Sequence, residues 1–174
     1  YSPETTEYVD SYDGRRKEPV VFQAKIPVVA ITGTSGIAVG MSTKILPHNI
    51  FEVLDCQRKA LRGEDFEIYP DFPTGGTVDV SEYDDGRGRV TVRAKFNTQD
   101  PKRLIIEELP YETTSQALID SIKKADANGQ LKIASITDYT SEKANIEICW
   151  QRGVYSQDMV DILYATTDCQ KKIS

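Results

Sequence analysis

An α+β domain on a mainly antiparallel sheet is the fold class this sequence predicts, and three observations predict it. Short β-branched apolar runs are separated by turn residues. Stretches of helical period carry their own start and stop signals. The resulting succession sets single helices among strands that have to pair largely antiparallel. At 174 residues and 39% hydrophobic content, the chain is long enough for one core with an attached arm.

Residues 1–25 are polar, with Pro3, Gly14 and Pro19 and no sustained period, so a short turn or helix followed by an extended connector is expected. The run Ile26 to Thr32 is β-branched and apolar, which fits a buried strand. It leads into Gly33-Thr34-Ser35-Gly36-Ile37-Ala38-Val39-Gly40-Met41, a glycine-rich backbone able to pass close to another surface. Asn49 with Glu52 marks a helix start, Ile50, Val53, Leu54 and Leu61 follow at helical spacing, and Gly63 ends it. Beyond the Pro70 to Gly76 loop, two strands are expected at Arg89 to Phe96 and Leu104 to Leu109, joined by a turn at Gln99 to Lys102. Thr113 or Thr114 caps a second helix with Leu118, Ile119 and Ile122 on one side, stopped at Asn128-Gly129. Leu131 to Thr137 and Ala144 to Trp150 alternate as strands, and Ser156 opens a last helix carrying Val160, Leu163 and Tyr164.

Composition narrows the function classes. The three cysteines, Cys56, Cys149 and Cys169, are far apart and form no CxxC pair, which fits free thiols in a reducing cytoplasm. With His48 as the sole histidine, zinc sites and histidine triads lose their usual members, and neither a catalytic nor a metal-binding residue is assigned. No apolar run of about eighteen residues and no basic, apolar leader occurs, so no membrane partner is expected. The chain starts at Tyr1 without an initiator methionine and stops at Ser174 after a helix-like stretch, and it is expected to be an internal segment. The net charge of −6 opposes binding to a polyanion. The charge is uneven, however. Arg15, Arg16, Lys17, Lys25 and Lys44 surround the glycine-rich segment, whereas acids dominate from Glu64 to Asp85, and a local basic face can act on an acidic protein.

A glycine-rich segment after an apolar run invites a nucleotide-binding reading. A phosphate-binding P-loop needs a lysine directly after its last glycine, and here Met41-Ser42-Thr43 intervenes before Lys44. A short-chain dehydrogenase is suggested by Thr32-Gly33 with Tyr139 and Lys143. Against it, Ile37 stands where that pattern needs glycine, Pro47 forbids the receiving helix, and Tyr139 and Lys143 fall in an expected hairpin.

The segments Gly36-Ile37-Ala38-Val39-Gly40-Met41-Ser42-Thr43 and Pro47-His48-Asn49 resemble the signature of gyrase and topoisomerase IV A subunits. Pro70-Asp71-Phe72-Pro73-Thr74-Gly75-Gly76, Gly86-Arg87-Gly88-Arg89-Val90, Val92-Arg93-Ala94 and Glu108-Leu109-Pro110-Tyr111 follow in that family's order. Leu163-Tyr164-Ala165-Thr166-Thr167-Asp168 is similar to the family's motif before its coiled coil, in a form nearest topoisomerase IV. The resemblance implies a connector at 1–25, leading out of a winged-helix domain, and a tower domain at 26–174. It implies an ATP-dependent type IIA topoisomerase as the parent, its A subunits forming a homodimer joined by B subunits in an A2B2 assembly in the cytoplasm. The catalytic tyrosine is placed upstream of Tyr1, and no cofactor is expected here, because magnesium and ATP belong to the B subunit. Departures from the usual pattern are Thr32 in place of asparagine, Lys44-Ile45-Leu46 in place of Asn-Ile-Pro, and a short loop before Pro70.

For this segment the resemblance implies binding and bending of double-stranded DNA. Ile37 would be the wedge that enters the minor groove and parts a base step. Gly36 and Gly40 would let the backbone approach, while Lys25, Lys44, Arg87 and Arg89 are candidate phosphate contacts. An isoleucine between glycines also suits the core of a tight loop, and a freestanding nucleic-acid or protein interaction module is the competing reading. His48 is expected to serve the local fold, Asp71 a rigid turn, and Trp150 the core. Exposed arginines such as Arg87 and Arg89 also suppress strand-edge pairing, and Glu82, Asp84 and Asp85 suit a solvated loop.

Overall fold

A computed structural model describes residues 4–21 and 23–174; the expectation for Tyr1 lies outside them. The chain forms two compact units, Tyr1–Pro70 and Asp71–Ser174. The boundary after Lys25, expected from family anatomy, is a different division from this one. Every strand pairing among the described residues is antiparallel, and with the helices this makes the α+β class expected.

In the first unit β1 (Tyr8–Asp10) pairs with β2 (Lys17–Pro19), where a turn or helix and a connector were expected. Ser11, Asp13 and the Gly14 turn join them: the Ser11 amide donates to the Arg16 carbonyl at 2.8 Å, and the Ser11 hydroxyl to Asp13 at 2.6 Å. The expected buried strand at Ile26 to Thr32 is instead a helical turn, α1 (Val28–Thr32), with no buried residue. Pro27 at its N-cap lacks an amide to lose, and Gly33 at φ +68° ends it, the proline-first, glycine-last asymmetry of helices. The Thr32 hydroxyl donates to the Val28 carbonyl at 3.0 Å.

A hairpin follows, β3 (Thr34–Ala38) with β4 (Met41–Ile45), and then α2 (Ile50–Arg62). Asn49 caps α2, its side chain accepting from the Phe51 amide at 2.9 Å, and Gly63 closes it in the left-handed region. Of the expected apolar face only Val53 is buried, with Cys56 beside it, while Ile50 and Leu61 are exposed.

The second unit contains two sheets. Strands β5 (Thr77–Asp79), β6 (Val90–Arg93) and β11 (Gln170–Ile173) form the first, in the order β11-β6-β5. Strands β7 (Lys95–Asn97), β8 (Arg103–Glu108), β9 (Ile133–Asp138) and β10 (Ile146–Trp150) form the second, in the order β7-β8-β10-β9. The single strand expected at Arg89 to Phe96 is divided at Ala94, which is fully buried. The Ala94 amide donates to the Cys169 carbonyl at 2.8 Å, and its carbonyl accepts from the Tyr164 hydroxyl at 2.8 Å. With both backbone groups committed there, the chain leaves one sheet and enters the other. Strand β11 was not foreseen, because its sequence, Gln170-Lys171-Lys172-Ile173, has little β character; its pairing with β6 creates it.

Two helices, α3 (Ser115–Ala127) and α4 (Ser156–Thr166), supply the rest of the core. Of the two threonines proposed as cap, Thr114 does it, accepting from the Ala117 amide at 3.2 Å. Leu104, Ile106, Leu118, Ile122, Ile146, Ile148 and Leu163 are wholly enclosed, each contributing roughly 1.5–3 kcal/mol of apolar burial. Trp150 is a core residue as expected. Its indole N–H donates to the Ser156 hydroxyl oxygen at 3.0 Å, and that hydroxyl lies 2.9 and 2.8 Å from the Asp100 and Arg103 carbonyls. Ser156 therefore opens α4 as a buried cross-link rather than a cap.

Two outcomes follow from this core. Ser156→Ala should lower stability by about 1–3 kcal/mol, because the Trp150 N–H is left buried without an acceptor; the urea midpoint of the chain measures it. Burial pushes the Cys169 thiol from 9.0 up to about 12. Keeping that thiol neutral stabilises the fold fully below its ordinary range, and the contribution is lost as pH rises toward the folded value. At pH 8 a disulfide reagent should label Cys169 only after unfolding, which mass spectrometry of the labelled peptide reads.

Candidate nucleic-acid interface

The hairpin is held at its base and exposed at its tip. A Cβ added at Gly33 would lie 2.6 Å from the Ile45 carbonyl oxygen and 2.9 Å from the Pro47 nitrogen, so position 33 requires glycine for space as well as for its positive φ. His48 fastens the same region. Its amide donates to the Ile31 carbonyl at 3.3 Å, and its Nδ1 lies 3.0 Å from the Ala30 carbonyl. A carbonyl only accepts, so Nδ1 carries the proton. Both acceptors belong to the last turn of α1, whose carbonyls have no helical partner. His48 thus serves the local fold.

From that base β3 and β4 run out as strands whose ten residues are all exposed. The register pairs Ser35 with Lys44, Gly36 with Thr43, Ile37 with Ser42 and Ala38 with Met41. Side chains alternate across a strand, so Ser35, Ile37, Ser42 and Lys44 share one face, and Gly36, Ala38, Met41 and Thr43 the other. Val39 and Gly40 form a two-residue turn, Gly40 at φ +76° with open space around it. A Cβ at Gly36 would meet only the Thr43 methyl, at an ordinary 3.6 Å. The chain's own packing therefore does not demand glycine at 36.

Ile37 is 92% exposed, Val39 102% and Met41 73%. Three large apolar side chains at one tip are an unfavourable arrangement in water, and no described residue of the unit covers them. The reading of Ile37 as a core residue of a tight loop is thereby set aside. Val39 and Met41 were not singled out from the sequence, although their placement on either side of Gly40 was a sufficient signal once a two-residue turn is assumed.

The candidate cations are spread over both units. Lys44 lies on the Ile37 face, and Lys25 is exposed in the segment before α1. Arg87 and Arg89 belong to the second unit, beside a 3-10 turn at Asp84–Gly86. Arg89 Nε donates to Glu82, and this hydrogen bond, with the charge of Arg89, holds the Glu82 carboxyl below its usual range. A phosphate at Arg89 would compete with that carboxylate. Arg87 is exposed.

Other motif residues do structural work. Phe72 stacks on Tyr111 with centroids 4.6 Å apart, and Glu108 accepts from the Gly76 amide at 2.6 Å. That bond, followed by the Lys95 ammonium, keeps the Glu108 carboxyl below its ordinary range. The Asp71 to Gly76 turn is thus pinned, as expected. Tyr164 stacks on Phe96 and lies under Arg93. Lys143 falls between β9 and β10 and Tyr139 directly follows β9, and the glycine-rich segment follows a helical turn and forms a hairpin, so the dehydrogenase architecture is not present among the described residues. Among them, too, no group of His, Cys, Asp and Glu is placed to hold a metal ion, and no helix is long and apolar enough to cross a membrane.

The family model for the A subunits of DNA gyrase and topoisomerase IV matches residues 1–174. The DNA topoisomerase 4 A subunit of Borreliella burgdorferi is 52% identical over 174 residues, which is 100% of this chain and 28% of that protein. The DNA gyrase A subunit of Synechocystis sp. is 38% identical over 192 residues, covering 96% of this chain and 22% of the relative, and that of Thermotoga maritima 35% over 184 residues, covering 95% and 23%. The chain spans less than a third of the length of these relatives.

The hairpin's two constrained glycines should differ in effect. Gly40→Ala should cost about 1–2 kcal/mol from its left-handed backbone alone, whereas Gly33→Ala adds contact with backbone atoms and should cost more. Amide hydrogen exchange across residues 34–45 tests this, with faster exchange expected in both variants and the larger change at Gly33→Ala.

Proposed function

We propose, for a chain that belongs to the DNA gyrase/topoisomerase IV A-subunit family, that it is the part of a type IIA topoisomerase that binds and bends the duplex to be cut. On this reading the parent protein passes one double strand through a transient break in another, as a homodimer joined by B subunits in an A2B2 assembly in the cytoplasm. Residues 26–174 form its tower domain, and the catalytic tyrosine lies upstream. Magnesium and ATP act through the B subunit, and no described residue here is assigned to hold either. The 52% identity to a topoisomerase IV relative favours that branch over gyrase.

The observation that carries this proposal is the 92% exposure of Ile37 on a hairpin whose strand residues are all exposed. Three other motifs of the resemblance are engaged by internal contacts: Glu108 with Gly76, Tyr111 with Phe72, Tyr164 with Ala94. The Gly36 to Thr43 motif is presented to solvent, so its sequence answers to an external partner. An apolar wedge entering the minor groove parts a base step at a cost of a few kcal/mol, and bending a site through a large angle costs roughly 1–6 kcal/mol more. Cations on phosphates, of which Lys25, Lys44, Arg87 and Arg89 are the candidates, offset these terms. Gly36 in the wedge strand and Gly40 in the turn carry no side chain that would hold the backbone away. Such binding reads the deformability of the duplex rather than its base edges.

The test is Ile37→Ala in the full-length protein, in complex with its B subunit. Bending, read by energy transfer between dyes at the ends of a duplex, should weaken by roughly tenfold or more, the equivalent of about 1.4 kcal/mol lost. Cleavage should slow in parallel and the melting temperature should stay unchanged. Wild-type bending by that variant would remove Ile37 from the role.

A further inference from the structure

We infer that Ile37 is one corner of a four-residue DNA contact, in which Ser42 donates a hydrogen bond to a minor-groove base acceptor beside the opened step, while Lys44 and Ser35 hold the phosphate behind it. This rests on the reading of Ile37 as the wedge and adds to it the polar groups that seat the wedge.

The strand register carries the inference. Ile37 stands opposite Ser42, and Ser35 opposite Lys44. Facing residues of an antiparallel pair have Cβ atoms about 4.5–5.5 Å apart, and residues two apart on one strand are separated by about 7 Å. The four side chains therefore mark a small rectangle, with an apolar group and a hydroxyl near the tip and a hydroxyl and an ammonium one row back. The minor groove is about 6 Å wide, and each base pair presents an N3 or O2 acceptor on its floor. With Ile37 in an opened step, a hydroxyl one Cβ spacing to the side reaches the acceptor of the flanking pair. The row behind lies toward the groove's rim, where the phosphates are.

Charge separates this face from the other. Between Thr34 and Ile45 Lys44 is the only charged residue, and the register puts it on the side of Ile37. The opposite face has hydroxyls too, in Thr34 and Thr43, but no cation, and Thr43 turns its methyl toward the space above Gly36. Because every base pair offers a minor-groove acceptor and G·C pairs add an obstructing amino group, the Ser42 contact tolerates most sequences while favouring an A·T pair beside the step.

The experiment uses the same full-length assembly with the B subunit present and the same dye-labelled duplex, titrated over a series of salt concentrations. Ser42→Ala and Lys44→Gln should each weaken bending affinity roughly three- to tenfold. Ser42→Thr, which keeps the hydroxyl, should retain affinity, and Lys44→Gln should lower the slope of log affinity against log salt by about 1. Thr43→Val, on the other face, should bind as wild type. Unchanged affinity in Ser42→Ala or in Lys44→Gln, or an equal loss in Thr43→Val, overturns the inference. Ile37→Ala in parallel separates the two levels: if it bends DNA normally the wedge reading itself is wrong, whereas loss of bending there with wild-type Ser42→Ala and Lys44→Gln sinks the four-residue contact alone.

Discussion

The close approach of the chain to itself at Gly33 is the constraint on which the hairpin depends. The Ile45 carbonyl and the Pro47 nitrogen occupy the space a Cβ would need, and this contact brings the end of β4 back to the start of β3. A two-stranded hairpin by itself is marginal in water, and this one carries three exposed apolar side chains at its tip. Its shape must be supplied from the base. Pro47 is buried there, His48 ties to the last carbonyls of α1, and Asn49 caps α2. Three consecutive residues thus join the hairpin to the helix that follows, which is why the motif is continuous across Pro47-His48-Asn49.

A different constraint organises the second unit. At Ala94 both backbone groups are taken, one by Cys169 and the other by Tyr164, and the side chain is enclosed. A larger residue there would have to displace Tyr164 or the core. The motif residues on either side are engaged likewise: Arg93 bonds Gln170 and lies over the Tyr164 ring, and Glu108 holds the turn at Gly76. Such contacts join motifs that lie far apart in sequence.

On the proposed reading, placing DNA on an acidic chain is a matter of local charge. Many of its cations are spent within the molecule. Arg89 is paired with Glu82, Arg103 with Asp100 and Glu147, Lys59 with Asp55, and Lys95 with Glu108. The long-range field of a net charge of −6 repels a duplex, but within a Debye length of about 8 Å a few lysines and arginines decide the outcome. On the proposed reading a wedge that reads deformability needs few cations so long as they stand beside it, and the register puts Lys44 on the Ile37 face.

The family, the α+β class, the caps at Asn49 and Thr114, the core faces of α3 and β10, and the isoleucine between glycines were all legible in the order of the amino acids. These are local signals, because spacing and a residue's own chemistry suffice to produce them. The remainder was settled by contacts between distant parts of the chain. The β-branched run before Gly33 became a helical turn because a strand needs a neighbour to bond with, and none among the described residues runs beside it. The segment from Arg89 to Phe96 divided at Ala94 because two sheets compete for it, and Gln170–Ile173 became a strand because β6 offered it an edge. Which side chains accompany Ile37 was likewise outside the reach of composition and spacing. A slip of one residue in the pairing of β3 with β4 would carry Lys44 to the opposite face, and the register is held by contacts at Gly33 and Pro47 that exist only once the chain has folded.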